Sequence, residues 1–310
     1  MFSYSNIGYV CVMTAAILWA SSGTVAKILL QGGMTPYELV QIRVTLAAIF
    51  LGTAFALFAR RLFRIRFSDA GLILLVGTVM ALVQVTYFYT ISKMQVMAAI
   101  LIQYMAPIIV AFFSICFWGE QLTSSKLLAL FLAMCGCYLV VGGYNLHILH
   151  LNHMGILGGL ASALCFAAYT LLGERAMHRY EPWTLVFYSL LISTFIWHII
   201  YSPFQYLRAG YSINQWEYIF YIVLVGTIAP FGLYFVGINY MRSTRAMITS
   251  TLEPIAAGFF AFFFIGEKLE PLQISGGILV ISAIVLLQLH REQDALAPAV
   301  VRSSLGDSRG

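Results

Sequence analysis

The sequence predicts an all-α integral membrane protein, in which ten transmembrane helices form a five-plus-five inverted repeat around a central cavity. Two observations carry this prediction. Of the 310 residues, 61% are hydrophobic and 9% are charged, whereas about a quarter of the residues in an average soluble domain are charged. So few charges cannot cover a water-facing surface, and the chain must be solvated mainly by lipid. The second observation is a motif that occurs twice with the same internal spacing.

Apolar runs of membrane-spanning length recur along the whole chain. A bilayer core of roughly 30 Å requires about 20 mainly apolar residues in a helix. By this measure the predicted spans cover residues 7–30, 37–59, 70–92, 96–118, 125–143, 154–173, 183–202, 216–239, 245–265 and 272–289. Short turns with Gly, Pro and acidic residues separate them. The tail after His290 is polar and is predicted to be disordered.

The repeated motif joins an intramembrane proline to a Gly-Glu pair. Pro107 precedes Gly119-Glu120 and Pro254 precedes Gly266-Glu267, and the glycine follows the proline by 12 positions in both copies. This shared spacing indicates a duplicated unit of about 147 residues. We therefore assign residues 1–148 to a first repeat, 149–290 to a second repeat and 291–310 to a cytoplasmic tail.

The odd number of spans in each repeat has a geometric consequence. With five spans per repeat, the second copy enters the membrane from the side opposite to the first, so the two repeats are inverted. Lys and Arg residues then orient the chain. The side of the N-terminus would hold Arg60, Arg61, Arg64, Arg66, Lys126, Arg175, Arg179, Arg242, Arg245, Arg291, Arg302 and Arg309. The other side would hold Lys93, Arg208 and Lys268. This asymmetry predicts a multi-pass membrane protein with both termini in the cytoplasm, and it explains the positive net charge without nucleic-acid binding.

Several short sequences carry a family resemblance. They are the first-span run from Ile17 to Ser21, Arg43 in the second span, and the two copies of the proline and Gly-Glu motif. With these residues the chain resembles the drug/metabolite transporter superfamily, in particular its ten-span EamA-like members with two EamA repeats. The resemblance implies a central substrate cavity, alternating access, and export of small metabolites such as amino acids or drugs across an inner (plasma) membrane. It names no substrate, because one scaffold can serve many.

Polar side chains inside the membrane mark the candidate site, because a charged side chain facing lipid costs about 2.5 to 3.5 kcal/mol on the insertion scale. Gln103 shares a helix face with small residues in span four, and Ser250 and Glu253 occupy the corresponding face of span nine. We predict that both faces line the cavity, and that aromatic rings there can bind a cationic or aromatic substrate. The candidate substrate-binding residues are Trp19, Ser22, Gln84, Tyr87, Gln103, Tyr104, Tyr169, Tyr234 and Ser250.

Two charged residues lie within predicted spans. Glu253 is about 12 Å from the inner end of span nine by helix rise. It is either a proton-coupling or cation-binding carboxylate, or a scaffold residue that bonds to backbone freed by Pro254. Arg43 lies about seven residues from the outer end of span two, where it either contacts substrate or has a structural role. Helix rise places the two residues on opposite sides of the midplane, so a direct salt bridge requires a tilted or broken helix.

Two other function classes are the alternatives to transport. A membrane-embedded transferase or hydrolase needs a catalytic constellation, and the sequence has no Gly-x-Ser-x-Gly or His-Glu-x-x-His motif. A sensor that does not transport would carry a signalling domain, for which the tail is too short. The sequence also lacks a Walker motif, which favours protons as the candidate coupling ion, with facilitated diffusion as the alternative.

The expected partners are a small-molecule substrate and the lipid bilayer. No catalytic residue or cofactor is expected. No metal site is expected either, since His147, His150 and His153 lack a fourth ligand. The five cysteines lie in apolar runs and are expected to be unpaired core residues. The oligomeric state, monomer or homodimer, stays open.

Overall fold

A computed structural model of the chain describes residues 4–93, 96–121, 123–144, 153–201, 210–260, 262–263, 270–290 and 297–307. Within these ranges the regular structure is helical, without strands. The helices are α1 (Tyr4–Gln31), α2 (Pro36–Phe58), α3 (Ala70–Lys93), α4 (Val96–Gln103), α5 (Ala106–Trp118), α6 (Ser124–Val140), α7 (His153–Met177), α8 (Pro182–Ile200), α9 (Ile213–Val223), α10 (Ala229–Met241), α11 (Ser243–Ser250), α12 (Leu252–Phe260), α13 (Pro271–Leu289) and α14 (Pro298–Asp307). A π-helical segment, Leu224–Ile228, joins α9 to α10.

The predicted all-helical membrane class is confirmed. In the described ranges, eight stretches are long and apolar enough to cross a bilayer, and α6 is a shorter apolar helix. The predicted ninth span corresponds to α11 and α12, and its last residues lie outside the described ranges. The total of ten spans therefore stays a prediction.

Helix starts follow local sequence signals. Thr35 and Glu38 form a capping box at the start of α2, in which each side chain accepts a hydrogen bond from the other residue's backbone N–H. Pro36 occupies the first turn of α2, where a missing N–H costs nothing. Ser212 and Gln215 form the same kind of capping box ahead of α9. These polar and proline signals allow the sequence to set helix starts within a few residues.

The helices of spans four and nine are interrupted, and proline explains where. Pro107 lacks the N–H that would bond to the carbonyl of Gln103, four residues earlier, and α4 ends at Gln103. Pro254 stands in the same relation to Ser250, where α11 ends. The two breaks therefore occur at corresponding positions of the two motif copies. Backbone groups freed at such breaks inside a membrane are tolerated where they face protein or a cavity.

The ends of the helices define two faces of the bundle. Gly8, near the start of α1, lies against Met241 at the end of α10. The Arg66 N–H, ahead of α3, donates to the Tyr180 hydroxyl, just after α7, at 3.1 Å. We call the face at which α1 begins and α7 and α10 end the terminal face. The other end of the bundle is called the opposite face.

Across the two repeats, α1 corresponds to α7, α2 to α8, α3 to α9 and α10, and α6 to α13. The helix pairings repeat when each helix is exchanged for its counterpart. α1 packs against α10, just as α7 packs against α3. α2 packs against α9, just as α8 packs against α3. The pairs α2 with α8 and α6 with α13 are each formed by two counterparts. This exchange pattern is the one expected of two similar units, and the inverted relation between them stays a prediction.

The contact between α6 and α13 depends on glycine. A Cβ atom added to Gly136 would lie 2.7 Å from the Gly276 carbonyl oxygen and 2.6 Å from Val280 Cγ2. Because one obstacle is backbone, the helices would have to separate. We expect Gly136→Ala to destabilise the protein by about 1 to 3 kcal/mol, measured as a lower unfolding temperature in detergent. Gly71→Ala is the matched control, since nothing lies within 4 Å of the added Cβ, and equal unfolding temperatures for both variants would contradict the prediction.

The tail differs from the prediction of disorder. Residues Pro298–Asp307 form α14, which packs against α7 and α10. Arg302 donates to the carbonyl oxygens of Met177 and Tyr180, and to Asn239 Oδ1 at 2.8 Å. Carbonyl groups at a helix C-terminus lack partners within the helix and attract a cation. The prediction was wrong for this helix because its stabilising contacts are made with distant residues, which composition does not reveal.

Candidate functional site

The two interrupted helices are joined by a hydrogen bond between the halves of the chain. Tyr104, at the break between α4 and α5, donates its hydroxyl proton to Glu253 Oε2 at 3.0 Å. Glu253 is the second residue of α12, directly after the second break, and is half-buried. The scaffold alternative supposed that Glu253 bonds to backbone freed by Pro254, but its hydrogen bond runs to Tyr104 of the other half.

Arg43 approaches the same region from α2. Its guanidinium donates to Gln84 Oε1 of α3 at 2.8 Å, and Gln84 is buried. Tyr87, one turn further along α3, is half-buried and lies near enough to interact electrostatically with both Arg43 and Glu253. Arg43 therefore pairs with an amide and not with Glu253, and both charged side chains keep part of their surface accessible.

Gln103 extends this polar region onto α7. Its amide nitrogen donates to Ser162 Oγ at 3.1 Å. Ser162 is fully buried and was absent from the candidate residues. Its position opposite Gln103 depends on the packing of α4 against α7, and a lone serine within an apolar run gives no sequence signal for it. Hydrogen bonds or electrostatic contacts thus link five of the candidate residues to one another in pairs, and Gln103 directly precedes one of them in the chain. We call these six residues the central polar region: Arg43, Gln84, Tyr87, Gln103, Tyr104 and Glu253.

The candidate aromatic residues form a second group among α1, α7 and α10. The Trp19 ring lies 5.4 Å from that of Tyr234, and Tyr169 stacks on Phe235 at 4.9 Å between ring centroids. Tyr169 and Tyr234 are fully buried. Their hydroxyl groups lie 3.3 Å from Ser189 Oγ and 3.0 Å from Thr170 Oγ1, respectively. The rings pack against one another, and the hydroxyl groups of both tyrosines have partners within the protein.

The two candidate serines are buried and bond to their own helices. Ser22 Oγ donates to the Trp19 carbonyl at 2.9 Å, and Ser250 Oγ donates to the Met247 carbonyl at 2.8 Å. Ser22 also lies against Gly226 in the π-helical segment. The role predicted for these serines and for the buried tyrosines stays a prediction.

A charged cluster at the terminal face was not anticipated. Glu174 Oε1 accepts from Arg242 Nε at 2.9 Å, and its Oε2 accepts from the Ser243 N–H at 2.8 Å. Both charged side chains are 3% exposed. Arg242 has a φ of +67°, which is unusual for a residue with a Cβ. The carboxylate of α7 thus holds the start of α11 in place.

A second buried ion pair lies beside the first. Lys126 Nζ is 3.2 Å from Glu120 Oε1, and Thr244 Oγ1 donates to Glu120 Oε2 at 2.7 Å. Both charged side chains are 3% exposed. Sequence analysis counted Lys126 and Arg242 only as charges that orient the chain. The Gly119-Glu120 motif was the available signal, and its glutamate proves to connect α5 with α11.

The two polar regions suit different tasks. The central polar region presents a carboxylate and a guanidinium that are partly accessible, together with amides and phenols, so it can bind a small molecule with groups of both charges. The terminal-face cluster consists of two almost fully buried ion pairs, so it holds α5, α7 and α11 together.

Comparison with known proteins identifies the scaffold. The chain matches the EamA-like transporter family over residues 6–142 and again over residues 153–289. It is 28% identical to the "Uncharacterized inner membrane transporter YicL" of Salmonella typhimurium, covering 94% of this chain and 98% of that protein. It is 30% identical to an "Uncharacterized transporter" of Archaeoglobus fulgidus, covering 65% of this chain and 70% of that protein.

More distant similarity includes transporters named for what they carry. The chain is 23% identical to the "Threonine/homoserine exporter RhtA" of Escherichia coli K12, over 80% of this chain and 83% of that protein. A crystal structure with 14% sequence identity covers 91% of this chain and 96% of its own, with a TM-score of 0.76, and thus shares the fold. Since the family match comprises nearly the whole chain in two copies, this protein belongs to the EamA-like transporter family.

Proposed function

We propose that this protein is a secondary transporter that exports small metabolites by alternating access. The observation that carries the proposal is the Tyr104–Glu253 hydrogen bond, which joins the breaks of two corresponding helices from the two halves of the chain. Broken helices that meet near the middle of a membrane are a recurrent way to build a transport site. A carboxylate at that depth in the membrane is energetically costly. Residues of this kind therefore usually mark a functional site.

The two halves are inverted in this proposal. Five spans in each half reverse the direction of the second, and the exchange symmetry of the helix pairings supports a two-fold relation between the halves. An axis in the membrane plane allows the halves to exchange conformations, which opens the central polar region first to one side and then to the other.

The arrangement of spans four and nine supports an outward-facing state. Near the terminal face, α5 packs against α11, and the ion pairs of Glu120 and Glu174 are buried there. Towards the opposite face, α4 packs against α7 and α12 packs against α1. With the terminal face in the cytoplasm, the central polar region would be closed to the cytoplasm and reached from outside.

The chemistry of the central polar region favours a zwitterionic substrate, such as an amino acid. Arg43 can bind a carboxylate, and Glu253 can bind an ammonium group, through charge-assisted hydrogen bonds. Tyr87 lies near both. RhtA supports this class, since it is named as a threonine/homoserine exporter, and CntI of Pseudomonas aeruginosa, named as a "Pseudopaline exporter", supports the direction of transport. Protons are the proposed coupling ion, with Glu253 as their carrier.

Transport by purified protein tests the proposal. Protein reconstituted in liposomes is expected to move one or more amino acids from a mixed panel, faster with a pH gradient than without one. Organic cations without a carboxylate form the second part of the panel, and they are expected to compete weakly because they leave Arg43 unpaired. Absence of transport of the whole panel, by protein that is folded and inserted, would contradict the proposal.

The proposed orientation gives a separate prediction. Reporter domains that are active in only one compartment, fused after residues 66, 150 and 290, should report inside, outside and inside. This result follows from the excess of Lys and Arg on the terminal face. A reporter at residue 150 that is active on the same side as the one at residue 66 would contradict the predicted topology.

A further inference from the structure

A groove on the lipid-facing surface lies between α2 and α8, outside the central polar region. Its volume is about 470 Å³. Thr45, Gly52 and Ala56 of α2, and Phe187, Leu191 and Thr194 of α8, are among the residues that line it. The groove exists because small residues follow one face of α2. Phe187 forms part of its wall, since a Cβ atom added to Gly52 would lie 3.2 Å from Phe187 Cε2.

The groove extends from the middle of the helices to the terminal face. Thr45 is 13 residues before the end of α2 at Phe58, and helix rise makes this roughly 20 Å. This length exceeds half of a hydrocarbon core of about 30 Å. A single acyl chain from one leaflet therefore has room to lie along it.

Arginine side chains lie at the end of the groove on the terminal face. Arg60 Nε donates to the carbonyl oxygen of Ala56, a groove residue, at 2.9 Å. This contact uses one of the five N–H donors of a guanidinium group. Arg61, Arg64 and Arg66 follow within the next six residues, and all four side chains are exposed. Phosphate oxygens are suitable acceptors for these donors.

Acidic groups near this end compensate little of the charge. Arg61 Nη2 is 3.7 Å from Glu181 Oε1, and both side chains are exposed, so the pair is weak. Asp69 is already occupied, because Arg179 and Tyr180 both donate to its carboxylate. The end of the groove thus keeps a strong positive charge.

We propose that this groove binds one anionic phospholipid, with an acyl chain along α2 and α8 and the headgroup at Arg60 and Arg61. The acyl chain matches an apolar groove that opens to the bilayer, and the negative headgroup matches the arginines. A second copy of this chain is a poorer occupant, because a two-fold interface here would bring two arginine clusters together. With the proposed topology, the lipid belongs to the cytoplasmic leaflet.

The test uses the full-length protein in neutral detergent micelles doped with phosphatidylglycerol or with phosphatidylcholine of the same acyl chains. The unfolding temperature is followed against lipid content, and native mass spectrometry counts retained lipid. We expect phosphatidylglycerol to stabilise the protein at lower content, with one lipid retained. The double variant Arg60→Gln/Arg61→Gln should weaken this preference roughly 30-fold, since each arginine near an anionic surface contributes about a factor of five.

Two further variants separate the headgroup from the acyl chain. Ala56→Leu fills the groove at an exposed position, and it should reduce retention of the lipid while the arginines remain. Arg175→Gln, at an exposed arginine near the end of α7, is the matched control and should retain the wild-type preference. Neither variant touches the central polar region, so transport in lipid of fixed composition should persist in both.

Three results would overturn the proposal. Equal stabilisation by both lipids would exclude a headgroup site. Retention of phosphatidylglycerol that is unaffected by Ala56→Leu would exclude the groove as the site of the acyl chain. A dimer that the Ala56→Leu variant converts to a monomer would identify a second copy of the chain as the occupant.

Discussion

Glu253→Gln is expected to abolish the response of transport to a pH gradient while the protein remains folded. The glutamine carbonyl can still accept the hydrogen bond from Tyr104, which joins the two halves at 3.0 Å. The substitution changes little in shape, but it removes the group that can gain and lose a proton. Any loss of function therefore reports on charge and proton exchange, and not on packing.

The two roles proposed for Glu253 predict different kinetics. If it carries the proton, exchange of labelled substrate across the liposome membrane persists, and only gradient-driven net transport is lost. If it also binds the substrate's ammonium group, the KM of exchange rises roughly 10- to 150-fold, because a hydrogen bond to a charged group contributes about 1.5 to 3 kcal/mol. Both rates are measured in the same liposomes.

Tyr104→Phe is the matched control for this experiment. It removes the hydrogen-bond donor and leaves the carboxylate in place, so transport should still respond to the gradient. Wild-type rates for Glu253→Gln, with the response to the gradient intact, would contradict both roles and return Glu253 to the scaffold alternative.

The sequence predicted the class of fold because composition and spacing report directly on lipid solvation. The positions of the two helix breaks also follow from Pro107 and Pro254, since a proline leaves the carbonyl four residues earlier without its helix hydrogen bond. Arg43 and Glu253 were identified as intramembrane charges, and the structure brings them into one region with Gln84 and Tyr104.

Partners that depend on distant packing could not be predicted. Nothing in the sequence around Ser162 or Arg302 shows that these residues meet Gln103 or the end of α7. Arg242 was counted as a loop charge, although it is 2% exposed and ion-paired. Counting charges for topology treats every loop arginine as exposed, and this assumption fails where α10 turns directly into α11.

Separating the Glu174–Arg242 pair is expected to have the largest effect on stability. Both side chains are 3% exposed, and removing one partner leaves an uncompensated buried charge, which costs about 3 to 5 kcal/mol. We therefore expect Glu174→Gln and Arg242→Gln each to lower the unfolding temperature strongly. The exposed pair of Arg61 and Glu181 is the control, and Glu181→Gln should cost less than about 1 kcal/mol.

The double variant Glu174→Gln/Arg242→Gln distinguishes the loss of a charge partner from the loss of packing. With both charges removed, no uncompensated charge remains, so the double variant should be more stable than the sum of the single effects implies. Strict additivity would contradict a direct interaction between the two side chains.

Arg242→Gly separates backbone strain from ion pairing at the same position. A φ of +67° is unfavourable for arginine and acceptable for glycine. Both Arg242→Gly and Arg242→Gln leave Glu174 without its cation, but only the glycine variant relieves the strain. We expect Arg242→Gly to be more stable than Arg242→Gln by about 1 kcal/mol. Equal unfolding temperatures for the two variants would show that the backbone at position 242 is not strained. The ion pair would then not be needed to hold Arg242 in this conformation at the start of α11.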